Sequence, residues 1–278
     1  MKRAIFSVCP DPRQESLLAQ VLPSWERFAK RHGLDIIIVR RSITGAHPYW
    51  DRWMCFDHEE AEGYDQLLLL DNDVWISDNA RNPFDFWSAK FVGAALESRQ
   101  SGWDPEFIRQ YYPGFLIELS PEERDFGVFN FGITLVDRSL KPWFEEHFQI
   151  WKTEMSKRFA ASTNPDYQSF FIKEADGPFM SWQLQRTKRI EEIPDGFNRL
   201  IWNSYAKYEK WPRPLLLIEA KASQITKKFL PRPLWRLLFI HGRHLIRRCV
   251  NRGDFLHFAG SKSPMWLLES TNGPNPPA

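Results

Sequence analysis

The chain has 278 residues, enough for one large α/β domain with a sizeable core or for two small domains. Its formal net charge of +2 at pH 7 is too small to indicate a nucleic acid partner, and we expect none. Hydrophobic residues (43%) and charged residues (26%) occur at the levels of an ordinary globular protein. The 13 Trp and 22 Phe are more than such a protein usually has, and they suit a surface that stacks on sugar rings, a lipid interface or a filled core.

Cysteine usage and hydropathy indicate the cellular compartment in which the protein is found. Cys9, Cys55 and Cys249 are widely separated, odd in number and without the spacing of a metal site, which predicts reduced thiols in a cytosolic protein. The first apolar run has the length of a strand rather than of a signal peptide, and no later run reaches the roughly 20 apolar residues that span a bilayer. We therefore expect a cytoplasmic protein, either soluble or held at the inner face of the cytoplasmic membrane.

A β-α-β pattern opens the chain. Residues 4–9 form a β-rich run, residues 14–32 carry apolar side chains at helical spacing, and residues 35–39 predict a second strand. This order is typical of parallel strands joined by a right-handed crossover, as in nucleotide-binding sheets. Residues 49–62 predict a second amphipathic helix that leads into the next strand.

The stretch 66–76, QLLLLDNDVWI, is the centre of the prediction. Its four consecutive leucines predict a strand buried on both faces, with Asp71 and Asp73 at its C-terminal end, the edge where open α/β sheets bind ligands. An extended backbone places both carboxylates on one side, where they could share a divalent cation with a diphosphate. An Asx turn that closes a strand would use the same residues, so both interpretations stay open.

Further elements follow the acidic turn. Asn82 and Pro83 predict a short helix, and residues 91–96 predict a strand that ends at Glu97. Residues 98–123 have no firm period, which is typical of a binding loop or lid. Asn130 and Gly132 interrupt an apolar strand, and a strand glycine commonly marks a bulge or the close approach of a ligand. The remaining predicted strands and helices span residues 127–136, 140–159, 164–171 and 193–201.

The C-terminal part changes character. Residues 227–252 interleave large apolar with basic side chains, which favours an amphipathic helix on an anionic membrane surface or a packed helix with a solvated basic face. The predicted organisation is a core of residues 1–226, a basic helical insertion of residues 227–253, a return to the core at residues 254–270 and a disordered Pro-rich tail of residues 271–278.

Three motifs stand in order: LDNDV at 70–74, FNFGITLV at 129–136 and HFAGSK at 257–262. In this order they resemble the GT-A glycosyltransferases, specifically the family 8 group that includes glycogenin and bacterial lipopolysaccharide galactosyl- and glucosyltransferases. The resemblance covers roughly residues 4–266. It implies a Rossmann-like α/β fold, with a mixed, mostly parallel sheet and helices on both faces.

The resemblance implies that Asp71, Asp73 and His257 bind Mn²⁺ or Mg²⁺, which bridges the two phosphates of a nucleotide sugar. A cation suits this chemistry because it offsets the negative charge that a leaving diphosphate gains as the glycosidic bond breaks. Gly260 would allow close approach of the backbone. Lys262 would meet a phosphate, although it follows the histidine one position sooner than in the family's usual pattern.

A donor site is implied around the same motifs. Arg52 resembles a basic residue beside the donor, and Asn130 and Glu97 would contact the donor sugar. Asp166 and Gln168 stand where the family has an adjacent Asp-Gln pair near the anomeric carbon, and since Tyr167 separates them here, which of the two takes that role stays open. The residues expected to hold the nucleotide at the first strand and the acidic turn are Phe6, Ser7, Val8, Asp11 and Asn72.

The implied activity is transfer of a hexose from a nucleotide diphosphate sugar, most simply a UDP-sugar, to a hydroxyl of a glycan or glycolipid such as lipopolysaccharide or a capsule precursor. By the resemblance the anomeric configuration is retained. One alternative is a sugar nucleotidyltransferase, but that class carries a Gly-rich basic loop after its first strand, and residues 9–13, CPDPR, contain no glycine. Another is a non-catalytic carbohydrate- or membrane-binding module.

Overall fold

The computed structural model describes residues 1–45, 48–96, 127, 129–161, 176–200 and 254–257. Strands and α-helices in these ranges are joined in places by short 3₁₀ turns. The strands are β1 (Arg3–Val8), β2 (Asp35–Val39), β3 (Gln66–Leu70), β4 (Val74–Ile76), β5 (Val92–Leu96), β6 (Phe129–Asp137), β7 (Ile190–Glu192), β8 (Arg199–Leu200) and β9 (Phe255–His257). The helices are α1 (Pro12–His32), α2 (Pro48–Trp53), α3 (Lys141–Ala161) and α4 (Asp176–Arg186).

Two sheets hold these strands. The larger has the order β2-β1-β3-β6-β5-β7, and the smaller has the order β4-β9-β8. In the larger sheet β1 is parallel to β2 and β3, and β5 to β7, whereas β6 runs antiparallel to β3 and β5. The predicted mixed, mostly parallel sheet is therefore confirmed. Because β1 and β3 run side by side in one direction, both end at the edge where the acidic turn follows.

Strand β3 is buried on both faces, as its four leucines predicted; each is at most 1% exposed. Successive side chains of a strand point to opposite faces. Leu68 and Leu70 accordingly pack in the layer that contains α1, and Leu67 and Leu69 in the layer that contains α2, α3 and α4. Each buried leucine contributes about 1.5–3 kcal/mol of transfer free energy. Helices therefore cover both faces of the sheet, which keeps the strand before the acidic turn rigid.

Helix α1 shows how sequence fixes the position of β4. Its buried face includes Trp25, whose Nε1 donates to the Val74 carbonyl at 2.7 Å, and Ser24, whose hydroxyl accepts from the Ile76 N–H at 3.0 Å. The helix ends at His32. Gly33 follows with a φ of +64°, and the N–H of Leu34 donates back to the Ala29 carbonyl in the last turn. Since Val74 follows the acidic turn directly, α1 anchors the exit of that turn.

Two predictions about elements were wrong or incomplete. The helix predicted at 49–62 ends at Trp53 and is followed by 3₁₀ turns at Cys55–Asp57 and Glu59–Ala61. An α-helix would turn Cys55 about 200° away from Trp53, at 100° per residue, whereas both are buried here. Helix α4 and strand β7 were not predicted. Four predicted segments lie outside the described residues: the loop at 98–123, the helix at 164–171, the basic insertion at 227–253 and the tail at 271–278.

Two of the three cysteines lie in the part of the chain that the structure describes. Cys9 and Cys55 are both free and buried, and burial raises the pKa of the Cys9 thiol to about 11. Among the described residues, no helix is long and apolar enough to cross a membrane.

Candidate metal centre

Asp71, Asp73 and His257 meet at the carboxyl edge of β3. Each offers one ligand atom, and these three atoms all lie within 4.8 Å of one another. His257 Nε2 is 3.2 Å from Asp73 Oδ1 and 3.6 Å from Asp71 Oδ2. The structure thus brings together the three residues that the sequence motifs linked across most of the chain.

Backbone pairing explains this convergence. The Val74 N–H donates to the Asp71 carbonyl at 3.1 Å and closes the acidic turn, so that β4 begins directly after Asp73. Strand β9 runs antiparallel to β4 and places His257 opposite Val74. The Asp71 N–H donates to the Gly132 carbonyl at 2.9 Å, which ties the turn to β6. Three elements distant in sequence are therefore held in one register.

The carboxylates have unequal environments. Asp71 uses Oδ1 for an ion pair with Arg52, whose side chain is only 9% exposed, and directs Oδ2 towards His257. Asp73 Oδ1 is buried, and among the described residues no hydrogen bond satisfies it. A buried polar atom without a hydrogen bond is costly and calls for an ion or a water. Two carboxylates and an imidazole are a ligand set that suits Mn²⁺ or Mg²⁺, so the residues present fit a divalent cation.

Gly132 lets the imidazole approach. A Cβ atom at this position would lie 2.2 Å from His257 Cε1, far inside van der Waals contact. The pairing of β5 with β6 shifts register between Ala94 and Ala95, opposite the segment that contains Gly132. The predicted bulge is therefore present, and the group that approaches the glycine closely is the protein's own His257.

Sequence reasoning missed Asn198. The residue is fully buried, and its side-chain oxygen lies 3.2 Å from His257 Nδ1. Its amide nitrogen donates to the backbone carbonyl of Asn130 at 2.8 Å and to Asn130 Oδ1 at 2.9 Å. Residues 193–201 predicted only a turn that enters a strand, and the polar residue just before that strand was the sole hint of a further role.

The end of β1 is joined to the acidic turn by side chains. The Ser7 hydroxyl lies 2.6 Å from the Leu70 carbonyl and 2.9 Å from Asn72 Oδ1. The amide of Asn72 donates to the Val8 carbonyl at 2.8 Å and to Gln14 Oε1 at 3.2 Å. These contacts fix the turn relative to β1. The expected contacts of Ser7, Val8 and Asn72 with a nucleotide stay predictions.

Two further residues expected near the nucleotide have local structural roles. Phe6 is completely buried, with its ring centroid 5.4 Å from that of His58. Asp11 precedes α1, and its Oδ1 accepts from the Gln14 N–H at 2.9 Å, as an N-cap residue does. Their contacts with a nucleotide likewise stay predictions.

Five predicted site residues lie outside the part of the chain that the structure describes, and their roles stay predictions. They are Glu97, Asp166, Gln168, Gly260 and Lys262.

No protein-family model matches the chain, and no curated protein matches it in sequence. Among solved structures, a glycosyltransferase involved in the glycosylation of the major capsid of PBCV-1 is similar over 98% of this chain and 100% of its own, with 11% identity and a TM-score of 0.50. The bifunctional glycosyltransferase WbbM covers 98% of this chain and 50% of its own, with 10% identity and a TM-score of 0.49. The galactosyltransferase LgtC, solved with donor and acceptor sugar analogues, covers 98% of both chains, with 14% identity and a TM-score of 0.46.

At such identities a structural likeness speaks for the fold alone. The chain has the mixed α/β, GT-A-like fold that glycosyltransferase structures share. What it does at the edge of that sheet is a separate question, which the chemistry of the site addresses.

Proposed function

We propose that the protein is a metal-dependent glycosyltransferase that moves a hexose from a nucleotide diphosphate sugar to a hydroxyl acceptor. The observation that carries this proposal is the convergence of Asp71, Asp73 and His257 at the carboxyl edge of a fully buried strand. The fold shared with a glycosyltransferase structure supports it. The order of the three sequence motifs supports the finer assignment to family 8, with a UDP-sugar as donor and Mn²⁺ as the cation.

Different residues would bind the cation and stabilise the leaving group. Asp71, Asp73 and His257 would hold the divalent cation, which, when bound, offsets the charge of a departing diphosphate. Arg52 pairs with Asp71 and is nearly buried, so its guanidinium fixes that carboxylate. Its further N–H donors would be available to the phosphates of a bound donor. The low exposure of His257, 4%, limits water at the ligands and strengthens the electrostatic interactions there.

The transfer step that we propose retains the anomeric configuration. The bond between the anomeric carbon and the diphosphate oxygen breaks, and the acceptor oxygen forms its bond on the same face of the sugar. The acceptor proton passes to an oxygen of the departing diphosphate, so this step assigns the proton to the leaving group and needs no protein base. Asn130, Glu97 and the pair Asp166 and Gln168 would orient the donor sugar.

A panel of nucleotide sugars tests this function. We expect the purified protein to release a nucleoside diphosphate from one UDP-hexose in the presence of Mn²⁺, and to lose that activity in EDTA. Equal release in EDTA would contradict the metal role of the acidic turn. Pyrophosphate as the product would indicate a nucleotidyltransferase instead. Binding of UDP that is independent of Mn²⁺, without turnover of any donor, would indicate a binding module.

The basic insertion motivates a proposal about the acceptor. Residues 227–252 carry six arginines among large apolar side chains, a pattern that suits the anionic inner face of a cytoplasmic membrane and a glycolipid acceptor. We expect the protein to sediment with anionic vesicles at low salt and to be released as salt is raised, because the attraction is screened. Absence from the vesicle fraction at low salt would contradict this assignment.

A further inference from the structure

A chain of hydrogen bonds lies behind the candidate metal ligands. It begins at the backbone N–H of Gly132, which donates to Asn130 Oδ1 at 3.0 Å. The amide nitrogen of Asn198 donates to the same oxygen at 2.9 Å and to the Asn130 backbone carbonyl at 2.8 Å. Asn198 Oδ1 then faces His257 Nδ1 at 3.2 Å. We call these four residues the Asn198 chain.

The direction of every bond in the Asn198 chain follows from its first member. A backbone N–H can only donate, so Asn130 must turn its oxygen towards Gly132. Asn198 therefore meets two oxygens of Asn130, which only accept, and must turn its NH₂ group towards them. Its own oxygen is left facing His257. Because that oxygen also only accepts, the hydrogen of the imidazole must be on Nδ1.

The tautomer determines what His257 presents at Nε2, on the other side of its ring. A neutral imidazole with its hydrogen on Nδ1 presents a lone pair on Nε2, and Nε2 lies 3.2 Å from Asp73 Oδ1 and 3.6 Å from Asp71 Oδ2. Three acceptors then face one another, and one of them is the buried Asp73 Oδ1, which no hydrogen bond satisfies within the described ranges. A cation placed among them would satisfy all three.

We propose that Asn198 is a positioning residue that fixes the tautomer of His257, so that Nε2 is presented as a ligand to the divalent cation. Partners behind a metal-binding histidine commonly have this effect on its orientation and basicity. The part of the inference that concerns the cation rests on the proposed function. The part that concerns the tautomer does not, because it follows from the hydrogen bonds of the protein alone.

Nuclear magnetic resonance of the imidazole nitrogens tests the tautomer on the full chain without metal. At about pH 9, where an ordinary imidazole is neutral, we expect His257 to carry its hydrogen on Nδ1 and none on Nε2. A His257→Gln variant identifies its signals among the seven histidines. A hydrogen on Nε2, alone or together with one on Nδ1, would overturn the inference. This measurement needs no variant of Asn198.

Binding of Mn²⁺ alone, followed by electron paramagnetic resonance, tests the effect on the cation. We expect Asn198→Ala to weaken Mn²⁺ binding by about tenfold or more and to let hydrogen appear on Nε2. Unchanged Mn²⁺ affinity in this variant would overturn the inference. If the native chain failed to bind Mn²⁺, the proposed function would fall together with the cation part of the inference, and the native tautomer would still be measured separately.

A matched control separates positioning from stability. Gln66 is another buried amide, at the opposite end of β3, where it accepts from Arg3 at 2.8 Å and donates to Asp137 at 3.1 Å. We expect Gln66→Ala to lower the melting temperature but to leave both the His257 tautomer and the Mn²⁺ affinity unchanged. If the control weakened Mn²⁺ binding as much as Asn198→Ala does, the effect would be structural and the positioning role would be contradicted.

Discussion

Asp73 is the residue whose surroundings indicate most clearly that a cation binds here. Its Oδ1 is buried and faces a histidine nitrogen, and none of the residues that the structure describes donates a hydrogen bond to it. The sequence could predict its position, because D-x-D follows a run of leucines that had to be a strand. It could not predict that Oδ1 would lie buried beside His257, since that depends on how β9 pairs with β4.

Replacing Asp73 separates function from folding. We expect Asp73→Ala to abolish transfer while keeping or slightly raising the melting temperature, because the variant removes a carboxylate whose buried Oδ1 has no hydrogen bond among the described residues. Initial rates and thermal unfolding provide the two measurements. Asp78→Ala is the control, since that carboxylate is 73% exposed in a surface ion pair with Arg27, and such pairs contribute about 0–1 kcal/mol. A variant of Asp73 that was only somewhat slower would indicate a structural turn.

A methyl group at Gly132 tests the packing of His257. We expect Gly132→Ala to displace the imidazole and to lower Mn²⁺ affinity by at least about tenfold, as loss of a ligand's support commonly does, because the new Cβ would lie 2.2 Å from Cε1. Gly177→Ala is the control: a Cβ there meets nothing within 4 Å, and alanine favours its helix. Titration with Mn²⁺ measures both. Equal affinity in the two variants would show that the ring tolerates the methyl group.

The stability of the fold should depend on pH through its buried histidines. Burial lowers the pKa of His58, with nearby Asp51 partly opposing this effect. In the unfolded chain His58 takes up a proton below about pH 6.5, whereas the folded chain resists it until a lower pH. The unfolded state therefore binds more protons in that range, and stability is lost as pH falls through it.

Urea unfolding at neutral and mildly acidic pH measures this effect. We expect the native chain to lose more unfolding free energy between the two pH values than a His58→Gln variant, whose side chain takes up no proton. Burial lowers the pKa of His32 and His147 as well, so part of the loss remains in the variant. The same loss in both proteins would contradict the account of His58.

Among the elements, long ones were predictable and short ones were not. The leucines of β3 and the helical spacing of α1 dictate their structure locally, and both elements lie close to the predicted ranges. Strands β4 and β9 have three residues each, too few to show a period, and they are strands because β9 pairs with both β4 and β8. The resemblance to a family implied that His257 joins the two aspartates, but neither it nor the local pattern predicted the strand register that brings His257 there.

Helix α1 should influence the metal site through β4. We expect Trp25→Phe to destabilise the fold by about 1–3 kcal/mol, because it deprives the buried Val74 carbonyl of a donor, and to weaken Mn²⁺ binding as β4 loosens against β9. Trp87→Phe is the control, since Trp87 Nε1 donates to the Phe91 carbonyl at the same 2.7 Å in the segment just before β5. It should cost similar stability with no change in Mn²⁺ affinity. If both variants lowered the Mn²⁺ affinity equally, the proposed influence of α1 on the metal site through β4 would be contradicted.

For the whole molecule, the class of sheet and the two-sided core were predictable, but the strand order and the complete site were not. The opening β-α-β pattern and the buried strand imply a nucleotide-type sheet, and the parallel pairing of β1 with β2 and β3 agrees. The polar residues behind the ligands escaped prediction because a single asparagine carries no pattern, and Asn198 gains its role only by packing against β6 and β9. Fold follows from repeated apolar spacing, whereas a site depends on individual contacts.

The most direct measurement of the central claim is anomalous diffraction from crystals of the full chain grown with Mn²⁺ and UDP. We predict one strong manganese peak within coordination distance of Asp71, Asp73 and His257 Nε2, with the diphosphate on its open side. A manganese peak elsewhere in the molecule, or none beside these three side chains, would contradict the assignment of this edge of the sheet as a metal-dependent transfer site.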